Sequence, residues 1–217
     1  MKIVLATHNR DKVREIVDML LGLDIEVETL DAYPEFPATV EDGDTLEANA
    51  LKKAHEARAH TGFSALADDT GLEVEALDGA PGVYSARFAG EGATYADNCA
   101  KLLREMKQVP PEKRGARFRT VMALVLAPRD AERVRVGLGC GVNHLLTDGV
   151  IVGEIAALSR GVRGFGYDPV FIDSASQRTL AEMTLAEKNG ISHRYRALIE
   201  MRELMLRMKL ARETRSP

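Results

Sequence analysis

A chain of 217 residues with 45% hydrophobic and 29% charged side chains is long enough for a substantial core and has an ordinary globular composition. Its net charge of −4 excludes a global basic field for nucleic acid or an anionic membrane, and no apolar run reaches membrane-spanning length. The two cysteines, Cys99 and Cys140, lack metal-ligand or redox spacing, which argues for a reduced, cytoplasmic setting and against a disulfide scaffold.

The opening Met1–Ala6 is too short for a signal peptide and runs directly into patterned sequence. Ile3–Ala6 reads as a buried strand. A helix follows, with Val13, Ile16, Val17, Leu20 and Leu21 at helical spacing and Gly22 as its stop. Ile25–Leu30 alternates as a second strand, so the start suggests a crossover in a mostly parallel sheet. Tyr33–Gly43 reads as a loop. The next helix is capped by Asp44 or Thr45 and carries Leu46, Ala50, Leu51, Ala54 and Ala57 on its apolar face. Phe63–Ala67 is a further apolar strand, and Thr70-Gly71 reads as the turn that ends it. Thr94 and Asp97 open another helix, which Pro110-Pro111 breaks. Phe118–Leu126 and Arg133–Leu138 read as two strands around a Pro128-Arg129-Asp130 turn, because Val134, Val136 and Leu138 alternate with Arg133, Arg135 and Gly137. Gly149–Ile155 and Val170–Ile172 are further short strands. The last helix spans about His193 to Leu210, and Ala211–Pro217 is a polar tail. The pattern predicts a single mixed-sheet α/β domain over 1–210, bilobed with a cleft.

The chemistry-bearing stretch at the centre is Asp68-Asp69-Thr70-Gly71. Two carboxylates at the end of a buried strand are costly unless paired, and a divalent cation is the usual partner. In extended chain the two point to opposite faces, so one can reach a ligand while the other supports it. The alternative is an acidic turn with an ordinary Asx hydrogen bond. Thr7-x-Asn9-x-x-Lys12 lies at a strand-to-helix junction, where backbone N–H groups and the helix dipole favour an anion; equally, Asn9 caps the helix and Lys12 is solvated. Glu41, Glu47, Asn49 and Lys53 offer a second carboxylate for a metal and a cation for a phosphate, although helix capping accounts for Glu47. Arg87, after Gly79-x-Pro81-Gly82, is a phosphate clamp or a surface cation. Gly164-Phe165-Gly166-Tyr167-Asp168-Pro169 lacks the third glycine of a dinucleotide loop, but its glycines let backbone approach a flat ligand that Phe165 can stack on. Ser192-His193-Arg194 places donors at a helix start.

Together these stretches resemble the inosine triphosphate pyrophosphatase family, the house-cleaning enzymes for non-standard purine nucleoside triphosphates. Six motifs carry the resemblance in order from residue 7 to 194: Thr7 to Lys12; Glu41-Asp42-Gly43 with Asn49 and Lys53; Ala67 to Leu72; Gly79 to Arg87; Gly164 to Phe171; and Glu182-Met183 through Glu187-Lys188-Asn189 to Arg194. The sequence departs from the family where Thr70 replaces a common Ser, where Ala48 replaces the Glu before Asn49, and over Gly137–Gly149.

The resemblance implies an elongated two-lobed α/β fold with a central active-site cleft, a homodimer, and Mg²⁺-dependent splitting of ITP, dITP or XTP into monophosphate and pyrophosphate. By position, Asp69 is the catalytic acid-base residue and a metal ligand, with Glu41 the second ligand. Thr7, His8, Asn9, Arg10, Asp11, Lys12, Lys53 and Arg87 would hold the phosphates, and the Thr70 hydroxyl would keep a hydrogen bond to the substrate. Phe165, Gly166, Tyr167, Asp168, Lys188, His193 and Arg194 would hold the purine. A triphosphate beside Asp68, Asp69 and Glu41 needs a cation to offset repulsion. Donors such as Arg194 would pair with a 6-oxo group and be left unpaired by a 6-amino group, at a cost of about 1–3 kcal/mol. Two alternatives stand: a pyrophosphatase of the related septum-inhibitor type acting on pyrimidine triphosphates, and a nucleotide-binding module without catalysis.

Overall fold

In the computed structural model, which describes residues 1–138 and 141–213, the chain forms two compact units. The first comprises residues 1–69, 121–148 and from 196 onward; the second comprises 70–120 and 149–195. Cys140 and the last four residues of the polar tail lie outside the described residues.

The elements run β1 (Lys2–Leu5), α1 (Arg10–Leu20), β2 (Glu26–Thr29), α2 (Leu46–Thr61), β3 (Ser64–Val74), β4 (Pro81–Gly82), α3 (Tyr95–Glu105), β5 (Gly115–Val125), α4 (Pro128–Leu138), β6 (His144–Ile155), β7 (Phe171–Asp173), α5 (Leu185–Ile191) and α6 (His193–Glu213). The strands form one mixed sheet in the order β2-β1-β3-β5-β6-β7, with β4 also paired to β3. β1 is parallel to β2 and β3, as the strand–helix–strand opening predicts, whereas β4 and β7 pair antiparallel. This agrees with the expected α/β class.

Each unit has its own apolar core. In the first, Ile3, Leu5, Leu66, Met122 and Leu124 of the strands pack with Ile16 and Leu20 of α1 and Leu198, Met201 and Met205 of α6. The α6 residues fall at i, i+3 and i+7, the spacing that keeps one helix face turned to a core. In the second, Leu72, Val74, Phe118, Ile151 and Phe171 pack with Leu102 and Met106. Arg114 is buried there, and its guanidinium donates to four backbone carbonyls, of Met106, Val109, Ile155 and Ala156. Such a clamp satisfies orphan carbonyls that water cannot reach.

Two expected elements differ. Thr70-Gly71 does not end β3, which continues to Val74. Neighbouring strands lie along both edges, Leu72 pairing with Gly82 and Glu73 with Pro81, and these ladder bonds override local turn preference. Arg133–Leu138 is not a strand but the end of α4. Pro128 suits the first turn of a helix, and Ala131 and Val134 face the first core at i and i+3, so Val134, which also fits the alternating pattern, belongs to a helical period. The Asp130 carboxylate accepts from the Ser64 hydroxyl at 2.6 Å, which in turn accepts from the Ala127 amide, fixing the helix start to β3. Among the described residues no helix is long and apolar enough to cross a membrane.

Candidate active site

In the first unit the chemistry gathers where β3 carries Asp68 and Asp69. Successive strand residues face opposite ways, so each carboxylate meets a lysine from a different helix. Asp68 pairs with Lys12 of α1 at 3.1 Å. Asp69 Oδ1 pairs with Lys53 of α2 at 2.9 Å, and the same ammonium lies 2.7 Å from Glu41 Oε1. Glu41 comes from the acidic loop before α2. That loop is pinned by Asn49, whose side-chain oxygen accepts from the Gly43 amide and whose amide donates to the Gly43 carbonyl. A Cβ at residue 43 would sit 2.6 Å from the Asn49 oxygen, so the glycine is what lets the loop close onto the helix. Thr45, not Asp44, caps α2.

Burial pushes the Asp69 carboxyl above its ordinary value, although the Lys53 ammonium pulls the other way. Burial also works against the Lys53 charge, but Asp69 and Glu41 outweigh it and its pKa is raised. The second oxygen of Asp69, Oδ2, is buried without a hydrogen-bond partner among the described residues. A carboxylate oxygen left in that state calls for a cation or a proton donor. Among the described residues no three His, Cys, Asp or Glu side chains converge. The donor set is therefore two carboxylates sharing one neighbouring cation. This fits magnesium, which commonly takes one or two protein carboxylates, several waters and substrate phosphates.

At the start of α1, Asn9 is the N-cap: its side-chain oxygen accepts from the Asp11 and Lys12 amides. Thr7 Oγ1 accepts from the Asn9 amide. The helix start is thus already capped by its own side chain, and Lys12 contributes through its ammonium. His8 and Arg10 are exposed.

The second unit holds a separate cluster around the Phe165 ring. Lys188 Nζ lies 4.5 Å and the Arg194 guanidinium 5.6 Å from the ring centroid, and Tyr95 packs at 5.9 Å. The buried Asp168 carboxylate holds this arrangement, with Oδ2 accepting from the Phe165 amide at 2.9 Å and from Lys188 at 2.6 Å. Gly164 has φ +73°, and a Cβ there would fall on the Asp168 carboxylate. Gly166 also has positive φ. Tyr167 is buried, and its hydroxyl donates to the Ser85 carbonyl; burial raises its pKa. Arg194 Nη2 donates to Thr70 Oγ1 at 3.1 Å, and the Thr70 and Thr120 hydroxyls are 2.7 Å apart. His193 stacks on Phe118 at 4.7 Å. Arg87 lies over the exposed Tyr84 ring at 5.1 Å.

The predicted residues therefore fall into two groups. Asp69 and Lys53, both buried, and the half-buried Glu41 and Lys12 belong to the charged cluster of the first unit, Lys12 through Asp68. Phe165, Asp168, Lys188, Arg194 and Thr70 form an aromatic and cationic cluster in the second. Sequence reading missed Tyr95, Phe118 and Thr120. Thr120 left one trace, a hydroxyl between Arg119 and the apolar run that begins at Val121; nothing in the sequence marks the other two.

The family model of the Ham1 family matches residues 3–204. The chain belongs to the Ham1 family. Its Ham1 relatives include the dITP/XTP pyrophosphatase of Geobacter sulfurreducens, 46% identical over 202 residues, covering 93% of this chain and 95% of that protein. The dITP/XTP pyrophosphatase of Exiguobacterium sibiricum is also 46% identical, over 91% of this chain and 93% of its own length. Among solved structures, the HAM1 protein of Coxiella burnetii superposes with a TM-score of 0.83 at 38% identity, covering 95% of this chain and 98% of its own. The six motifs read from the sequence thus lie inside a Ham1 match that spans nearly the whole chain.

Proposed function

We infer that this chain hydrolyses non-standard purine nucleoside triphosphates, of the dITP, ITP and XTP kind, to the monophosphate and pyrophosphate, and so clears them from the nucleotide pool. The names of its Ham1 relatives support the substrate class. The observation that carries the chemistry is Asp69, a buried carboxylate with a raised pKa and one oxygen without a hydrogen-bond partner among the described residues.

In this reading Asp69 takes the proton of the attacking water, a task suited to a carboxyl held above its usual range. Lys12 and Lys53 offset the charge of the triphosphate, with Arg87 and the Thr7–Lys12 turn adding donors. Asp69 and Glu41 would hold Mg²⁺, which when bound neutralises phosphate charge in the ground and transition states. Phe165 offers a face for the purine. Arg194 and Lys188 supply donors that suit a 6-oxo acceptor and would be stranded by a 6-amino group. Tyr167 and Asp168 act by holding the Phe165 loop, His193 by its place on Phe118. We further propose that the protein works in the cytoplasm as a homodimer.

The test is turnover by the purified protein with Mg²⁺ and ITP, with ATP and GTP in parallel and products separated by chromatography. IMP and pyrophosphate, with ATP largely spared, are expected. IDP and orthophosphate would overturn the bond assignment. Turnover confined to a pyrimidine triphosphate, or absent altogether, would overturn the substrate class or the catalytic reading.

A further inference from the structure

The second unit contains a hydroxyl that the proposed chemistry does not use. Thr120 lies on β5 with no exposed surface, and among the described residues its hydroxyl meets one partner, the Thr70 hydroxyl at 2.7 Å. A buried O–H needs an acceptor, and leaving one unmade costs about 1–3 kcal/mol. Thr120 therefore donates to Thr70 Oγ1. The same oxygen accepts the Arg194 N–H at 3.1 Å. Thr70 is thereby fixed as the shared acceptor at the middle of a relay that runs Thr120, Thr70, Arg194. Arg194 is itself 2% exposed and stands over the Phe165 ring.

We propose that Thr120 is a positioning residue for base recognition, holding the Thr70 hydroxyl where Arg194 can bond to it and so fixing the guanidinium beside the purine. The inference rests on Arg194 reading the base. Thr70 carries a methyl and a hydroxyl on one β-carbon, and a rotation about χ1 exchanges them. With a hydroxyl at position 120, the arrangement that turns the Thr70 oxygen inward is favoured. With a methyl there, turning the Thr70 methyl inward is favoured instead, and Arg194 loses its fixed acceptor. Valine has nearly the shape of threonine, so the change removes the hydrogen bond while filling the same space.

The test compares wild type, Thr120→Val and Thr120→Ser in steady-state kinetics on ITP and ATP, with thermal melts to verify folding. Thr120→Val is expected to raise the KM for ITP about three- to tenfold, the worth of one hydrogen bond, with kcat within about twofold and a smaller ITP-over-ATP preference. Thr120→Ser, which keeps the hydroxyl, is expected to restore KM and preference. Should Thr120→Val not fold, Thr120→Ala is read in the same way. An unchanged KM and preference in the folded variant, a fall confined to kcat, or failure of Ser to rescue would each overturn the proposal. Wild-type protein that does not turn over ITP would instead overturn the functional reading on which it stands.

Discussion

The Lys53 ammonium lies 2.9 Å from the Asp69 carboxylate, and both side chains are buried. Because the same ammonium also holds Glu41, removing it leaves two carboxylates to repel each other. Breaking a buried pair from one side typically costs about 3–5 kcal/mol. Lys53→Ala should therefore lower the melting midpoint in the absence of divalent cations, and added Mg²⁺ should recover more of it than it adds to wild type. Melts with and without Mg²⁺ check this; an equal response of both proteins would remove these carboxylates from the metal site.

Asp69→Asn should abolish turnover and leave the fold intact. The sign on stability follows from the raised pKa. A carboxyl whose folded value lies above the unfolded one adds stability when protonated, and loses it as pH rises through the folded value. At neutral pH the buried ionised form opposes folding, and asparagine removes that opposition, but it also takes one of two carboxylates from Lys53, which keeps Glu41. The two effects oppose each other, so at pH 7 the midpoint of the variant should lie closer to wild type than that of Lys53→Ala. Near-normal turnover would contradict the assignment.

Asp168 joins the Phe165 loop to Lys188. Asp168→Ala leaves a lysine that is 4% exposed without this carboxylate, so a stability loss of about 3–5 kcal/mol is expected. The loop also loses its anchor, and the KM for ITP should rise more than kcat falls. Denaturant unfolding and steady-state kinetics measure the two effects separately.

Tyr167→Phe tests the opposite expectation. Its hydroxyl is used on the Ser85 carbonyl, so the loss should appear in stability, at about 1 kcal/mol, and hardly in KM. A large rise in KM with unchanged stability would mean that the hydroxyl serves the substrate.

Glu187 is held down to about 2 by Arg178 and by the Thr184 cap of α5. A depressed carboxyl contributes stability above its unfolded value and loses it as pH falls through the folded one. The protection of the amides in α5, the helix that carries Lys188, taken relative to the free peptide at the same pH, should therefore fall between about pH 4.5 and pH 2. In Glu187→Ala that protection should be low already at neutral pH, with little acid dependence left.

The sequence by itself determined the element types at both ends of the chain and the residues that carry charge. Helical spacing in Val13 to Leu20 and Ala197 to Met208, and the caps at Asn9, Thr45 and Thr94, are local signals, and local signals survive in a sequence. Six short motifs in fixed order were enough to identify the family, because each holds side chains of the required chemistry at required spacings. Only the tertiary structure decided what those side chains do to one another. Thr70-Gly71 remains extended because strands pair along both edges of β3, and Ala131 and Val134 belong to a helix because the core they meet is reached at that period. The sharing of Lys53 between Glu41 and Asp69, and the relay from Thr120 to Arg194, join residues from 12 to 124 positions apart. Contacts at such separations leave no periodic trace, since burial and the demand that every buried polar atom find a partner act through space and not along the chain.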